Sequence, residues 1–408
     1  THSEPVIVEL FPKGRIRRIS MSLILGLSIL TFLAYPQIKD FRGDWHTAVV
    51  TDTDKHFAVV TSLLTSETFP PHLSYIKFSE YQPLRYYYFY YLLTTSTIGG
   101  AFFLPHTATV FGIFSGITTA SILILLASIT RYLFKTPKAP FFAVLVGILS
   151  GLQIFHLVYY LLQGQQIWWA PNLDNLGALV FKVFNTGINS TPQHLFASGI
   201  FLLMAALFAF AKNRKFLFFF LAFLHATSFL FSINVFSGIT FAMMGFALWY
   251  ISVKRVEALG PILVYIVIWI FFLAPLYWII QRAGDPMSSP AYSIIYVNFL
   301  LSPIFGVYRK LTPILGTELF SWIFWYTLYL IERLGVLVIF GLLGIYHFRK
   351  EFKKNGVVAF LLSGLFMIYI SIHFFKLPGP QNEYAKNATL IITYSLGIFM
   401  AGYMGLYV

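Results

Sequence analysis

Asp52 and Asp54 stand one residue apart and are followed directly by Lys55 and His56. A carboxylate is the usual base for taking a proton from a hydroxyl. Two carboxylates are also hard oxygen ligands of the kind Mg or Mn prefers. Asp52 and His56 are four apart, so they share a face if this turn is helical. Asp52 and Asp54 do not share a helical face, and both reach one ligand only if Asp52 is a cap residue. The plainer alternatives are an N-cap for Asp52, where Asp is a preferred type, and an interfacial histidine for His56.

Other polar groups recur at intervals. Arg85, Tyr86 and Tyr87 close the same segment. Trp168, Trp169, Asp174 and Asn185 precede Pro192-Gln193-His194, which opens an apolar run. Pro and Gln there also suit an ordinary helix start. Glu332 and Arg333 lie in or beside another apolar run, where an ionisable residue is a functional candidate. Asn382, Glu383 and Lys386 follow Pro378-Gly379-Pro380, which also fits a tight turn between two spans.

The elements that position these residues are long apolar segments. The 408 residues are 58% hydrophobic and only 11% charged, with 45 Phe, 25 Tyr and no Cys. A soluble domain carries about 25% charged residues. This composition excludes a soluble enzyme, a disordered chain and a disulfide-rich scaffold. It predicts an all-α, polytopic transmembrane bundle forming a single domain over 1–408. Apolar runs fall near 20–36, 86–104, 108–133, 139–162, 193–211, 216–234, 236–253, 259–280, 321–348, 356–375 and 388–408, each close to the about 20 residues a spanning helix needs. The first run follows Lys13, Arg15, Arg17 and Arg18 and reads as a signal-anchor, with no clear small-x-small cleavage site after it. The sequence starts without Met and stops inside an apolar run, so it reads as part of a longer chain, cut at its C-terminal end.

Charge fixes which runs cross. If all eleven cross, Arg131, Lys135 and Lys138 fall outside, as do Lys212, Arg214 and Lys215. Leaving out 86–104 puts the clusters 13–18, 131–138, 212–215, 254–255 and 349–354 on one side. That side then holds 16 of the 28 basic residues and only Glu4, Glu9, Glu257 and Glu351 among the 15 acidic ones. The net charge of +13 then follows from the positive-inside rule, and no nucleic-acid partner is needed. Residues 86–104, rich in Tyr, read as a juxtamembrane helix, since Tyr favours the interface. The expectation is a multi-pass protein of the cell membrane with ten spans and both ends cytoplasmic. Residues 1–19 form the cytoplasmic start, 37–107 an outer loop with juxtamembrane helices, and 108–408 the remaining bundle. Within the loop, 53–66 is amphipathic. Phe57, Val60 and Leu64 share a face with Val59 and Leu63 beside it, and Pro70-Pro71 ends the helix.

The order of these pieces resembles the GT-C superfamily of polytopic glycosyltransferases, in particular its prokaryotic membrane branches. The matching features are Asp52-Thr53-Asp54-Lys55-His56 opening a surface helix after a signal-anchor, then Phe69-Pro70-Pro71 and Pro83-Leu84-Arg85-Tyr86-Tyr87-Tyr88. Pro192-Gln193-His194 at a span entrance and Asn382-Glu383-Tyr384-Ala385 before the last span complete the pattern. The resemblance implies transfer of a sugar from a polyprenyl-phosphate donor to an acceptor on the outer face, with Asp52 or Asp54 as catalytic base. Two features depart from the family: Thr53 separates the two Asp, and Asn387 stands where the family often has Arg, with Lys386 beside it. Under this reading His56, Arg85, His194, Arg333 and Lys386 supply positive charge for the departing phosphate. Tyr86 and Tyr87 offer stacking faces, and Gln193, Asn382 and Glu383 join the substrate contacts. The competing classes are a transporter or flippase and a non-catalytic scaffold subunit. A transporter places charged groups and broken helices at the midplane.

Overall fold

The structure, a computed structural model, describes residues 10–11, 13–33, 38–39, 45–46, 59–60, 63–64, 88–100, 107–149, 192–211, 214–282, 327, 331, 334–374 and 383–408. Its helices are α1 (Arg15–Leu33), α2 (Tyr88–Gly100), α3 (Thr107–Phe134), α4 (Ala139–Leu149), α5 (Pro192–Phe210), α6 (Arg214–Phe231), α7 (Ile233–Lys254), α8 (Leu259–Arg282), α9 (Val336–Phe348), α10 (Gly356–Phe374) and α11 (Glu383–Tyr407). A short 3-10 turn, Arg255–Ala258, joins α7 to α8. The departure from an all-helical chain among the described residues is one small antiparallel pair, Ile38–Lys39 with Trp45–His46.

Local chemistry sets the helix ends. Lys135, at φ 56, takes the left-handed conformation and its N–H donates to the Arg131 carbonyl at 3.0 Å, closing α3. Pro192 opens α5, where a missing N–H costs nothing. Ser232 separates α6 from α7. Its backbone is extended, and its hydroxyl oxygen accepts from the Val235 N–H at 3.2 Å, an N-cap. The break therefore falls at Ser232, three residues before the 235 that the apolar pattern suggested.

Helix directions follow from neighbours across the bundle. Phe32 lies on Gly112 and Ser28 on Gly116, so α1 and α3 run antiparallel. Gly402 meets Phe134 and Gly405 meets Ala139, and Lys138 Nζ donates to the Val408 carbonyl at 2.9 Å. Gly341 lies on Leu396 and Gly344 on Phe399, so α9 and α11 are parallel and end together. Gly356 lies near Phe208, Tyr132 near Phe210, and Phe352 near Trp249. These contacts gather the starts of α1, α4, α6, α8 and α10 and the ends of α3, α5, α7, α9 and α11 at one end of the bundle. The described residues of all five basic clusters belong to that end. Every Lys, Arg, Asp and Glu whose side chain is described lies there. The segments meet in the alternating sense that repeated crossings require.

The surface is inverted relative to a soluble bundle. Leu25, Phe219, Leu248, Leu263, Phe271 and Phe366 are exposed, while Ser115, Thr119, Thr130, Ser198 and Ser228 are buried. Large exposed apolar faces need an apolar medium. Small and hydroxyl residues inside allow helices to approach closely in lipid. Several buried hydroxyls turn to carbonyls one turn back, as Thr31 does to Leu27, Thr130 to Leu126 and Thr393 to Thr389. Among the described residues, four stretches are long and apolar enough to cross a membrane: Thr109–Phe134, Gln193–Phe210, Ile233–Trp278 and Ala388–Tyr407. The third folds over the Arg255–Ala258 turn and so comprises α7 and α8. Shorter apolar helices are Ala139–Leu149, Phe216–Phe231, Val336–Phe348 and Gly356–Ile372.

The aromatic and amphipathic segments pack as follows. Tyr90 and Tyr91 are buried against neighbouring helices. Tyr90 stacks on Phe111 with ring centroids 5.6 Å apart, and Tyr91 meets Phe111 edge-on. The helix α2 has 13 residues, about 20 Å of rise, and it packs at the Phe111, Phe114 and Phe196 level, away from the basic end. In the amphipathic segment Val59 and Val60 are buried, but Leu64 is exposed. The buried stripe thus runs through Val59, Val60 and the partly buried Leu63, with Leu64 at its rim.

Candidate functional site

The end opposite the basic clusters carries buried polar side chains from α5, α7 and α11. Gln193 and His194 sit in the first turn of α5, 0% and 5% exposed. Ser232 and Asn234 at the start of α7 are buried as well. His194 Nδ1 lies 2.5 Å from Ser232 Oγ. Ser232 Oγ also accepts from the Val235 N–H, and its hydroxyl can either donate to the imidazole or accept from it. Ser198 Oγ, one turn below, donates to the Leu195 carbonyl at 2.7 Å and lies 3.2 Å from the Tyr394 hydroxyl of α11. Phe196 stacks on Phe231 at 4.3 Å and holds α5 against α6 beside this cluster.

Gln193 differs from its neighbours. Neither its amide nitrogen nor its carbonyl oxygen has a hydrogen-bond partner among the described residues. Leaving such a group unpaired costs about 1–3 kcal/mol. His194 is packed inside the bundle and in contact with Ser232.

The other expected site residues fall differently. Asp52, Asp54, His56, Arg85, Tyr86, Tyr87, Arg333 and Asn382 lie outside the described residues. Glu383 and Lys386 are described in backbone only, and they belong to the first turns of α11. The last helix therefore starts five residues before the expected 388, and these two residues are helical, not part of a turn. Glu383 at a helix N-terminus is favoured by the macrodipole. That terminus is at the same end as Gln193 and His194, since Ala388 and Ile391 lie on Gly238 near the start of α7. No group of three His, Cys, Asp or Glu able to hold a metal occurs among the described residues. The expected Mg or Mn ligands Asp52 and Asp54 lie outside them.

Sequence reasoning missed Ser232, Asn234, Ser198 and Tyr394. It also missed His225, buried midway along α6. His225 Nε2 is 2.9 Å from Thr240 Oγ1 and Nδ1 is 2.5 Å from the Tyr265 hydroxyl. Thr240 donates to the Phe236 carbonyl, so it accepts from His225 Nε2–H and Tyr265 donates to Nδ1. Trp269 stacks on the ring at 5.1 Å. Both nitrogens are satisfied and the ring is covered, as a structural histidine requires.

No family model, curated protein or solved structure matches the chain. The fold itself defines the class: this is a helical membrane protein, with its described charge at one end and a buried polar cluster at the other.

Proposed function

We propose that the chain is an integral membrane glycosyltransferase that moves a sugar from a polyprenyl-phosphate donor to an acceptor on the outer face. The proposed frame is a GT-C-like bundle of ten spans, with both ends of the chain cytoplasmic. The observation that carries this reading is the orphaned Gln193 amide beside His194. It lies opposite the basic end, on the tripeptide that bears the family resemblance. A bound sugar, rich in hydroxyls, would satisfy that amide.

Asp52 or Asp54 takes the proton of the acceptor hydroxyl. The acceptor oxygen then forms its bond to the anomeric carbon as the bond from that carbon to the phosphate oxygen breaks. The polyprenyl phosphate departs with the electron pair, and the anomeric centre inverts. His56, Arg85, His194, Arg333 and Lys386 are the cations available to the leaving phosphate. Tyr86 and Tyr87 stack on sugar faces. Asn382 and Glu383 orient hydroxyls. A Mg or Mn ion at Asp52 and Asp54 would add positive charge beside the phosphate.

A transporter or flippase is the second reading, and its best support is the polar group on His225. That group is closed off by Trp269 and Phe236 and satisfied by hydroxyls, which is poor material for a conducting path.

The test is single-turnover transfer from polyprenyl-phosphate sugars by the purified protein. Asp52→Asn and Asp54→Asn keep size and remove the base, and at least one should slow transfer by roughly 100-fold or more. Donor affinity should change less. Wild-type rates in both variants, with loss on replacing Asp44, another carboxylate of the expected outer loop 37–107, by Asn, would move the base. Failure of the wild type with every lipid-linked sugar would leave a transporter or a non-catalytic scaffold.

A further inference from the structure

At the basic end, α7 packs along α10, and α9 packs along α11, while α7 and α9 make no extended contact. Between them, floored by α10, is a groove of about 590 Å³, within the roughly 300–1,000 Å³ usual for small-molecule sites. The groove runs along the bundle axis. From Gly245 to Ser252 on α7 it covers about 10 Å.

Its lining is graded. Leu248, Phe366 and Met367 form the deeper part, and Ser252 and Arg349 stand at the mouth beside the basic turn 349–354. Leu248 and Phe366 are 62% and 61% exposed, so the groove opens sideways toward lipid. The guanidinium is held in place: Arg349 Cζ sits 3.6 Å over the Tyr346 ring centroid, and Nη1 donates to the Tyr346 carbonyl at 3.1 Å. Lys350, Lys353 and Lys354 follow in the same turn. An apolar channel that ends at a fixed cation, at the end where the basic clusters gather, matches one molecule in charge and in polarity order.

We propose that this groove holds one anionic phospholipid of the leaflet at the basic end, its acyl chain along Leu248, Phe366 and Met367 and its phosphate at Arg349. The site is separate from the polar cluster at the opposite end and does not depend on the enzymatic reading. It would fasten α9 to α7 where the protein leaves them apart.

Trp249 lines the groove and serves as the reporter. The full chain is reconstituted in phosphatidylcholine nanodiscs with either phosphatidylglycerol or phosphatidylcholine brominated on its acyl chains. The quenching lost in Trp249→Phe isolates the Trp249 signal. The anionic lipid should quench it with about fivefold higher apparent affinity, the effect of one cation near the surface. Arg349→Gln should bring the ratio to about one. Arg18→Gln, on α1, which packs on α3 and α4 away from the groove, should leave the ratio unchanged. Equal quenching by both lipids in the wild type overturns the site. So does an Arg18→Gln loss as large as that of Arg349→Gln, which would mean diffuse surface charge.

Discussion

Gln193 takes two polar atoms into the bundle and gives neither a partner. If substrate is what completes it, the empty protein bears the cost of an unpaired amide. Gln193→Leu removes that cost, so its thermal midpoint should hold or rise while single-turnover transfer falls at least about tenfold, the loss of one hydrogen bond to a polar ligand. A fall in both would make Gln193 a packing residue. Ser232→Ala removes the N-cap of α7 and the His194 contact together. It should lower stability by about 1 kcal/mol, seen as a lower midpoint in detergent. Gln193 and His194 were legible because Pro192-Gln193-His194 stands out at the start of an apolar run. Ser232 was not, because a lone Ser between two apolar stretches looks like any other small residue of a membrane helix. The meeting of residue 194 with 232, and of 198 with 394, depends on helix pairing, which spacing within one segment does not encode.

Helix contacts in this bundle rest on small residues, and two glycines test that directly. A side chain at Gly344 would run into the Phe399 carbonyl, so α9 and α11 must separate to admit it. Gly344→Ala should destabilise by about 1–3 kcal/mol. Gly26 on α1 has open space around it, so Gly26→Ala should be neutral or slightly stabilising, since Ala is the better helix former. The comparison needs only thermal melts of the two variants beside the wild type. Equal effects would show that the α9–α11 approach is not tight. At this scale the apolar runs located the helices well, because about 20 apolar residues have few other stable forms in lipid. Their ends were harder to read. The last helix takes in Glu383 and Lys386 because a carboxylate is welcome in a first turn, and a hydropathy pattern counts it as a break. The packing of Tyr90 and Tyr91 on Phe111 was not legible either, because it depends on which helices pair.

For the molecule as a whole, the decisive feature is sorting. The positive-inside arithmetic collected five basic clusters on one side, and the helix pairings independently bring the described residues of the same clusters to one end. The polar cluster of Gln193, His194 and Ser232 occupies the other end. The proposed chemistry requires that end to face outward, where the acceptor is, and the basic end to face the cytoplasm. The chain has no Cys, so single cysteines can be read without background. His106→Cys, just before α3, and Lys350→Cys, in the basic turn after α9, are treated with a membrane-impermeant maleimide in intact cells and again after permeabilisation. The outer-face account predicts labelling at 106 in intact cells and at 350 only after permeabilisation. Labelling at 350 in intact cells with 106 protected, or labelling of both from one side, would contradict it.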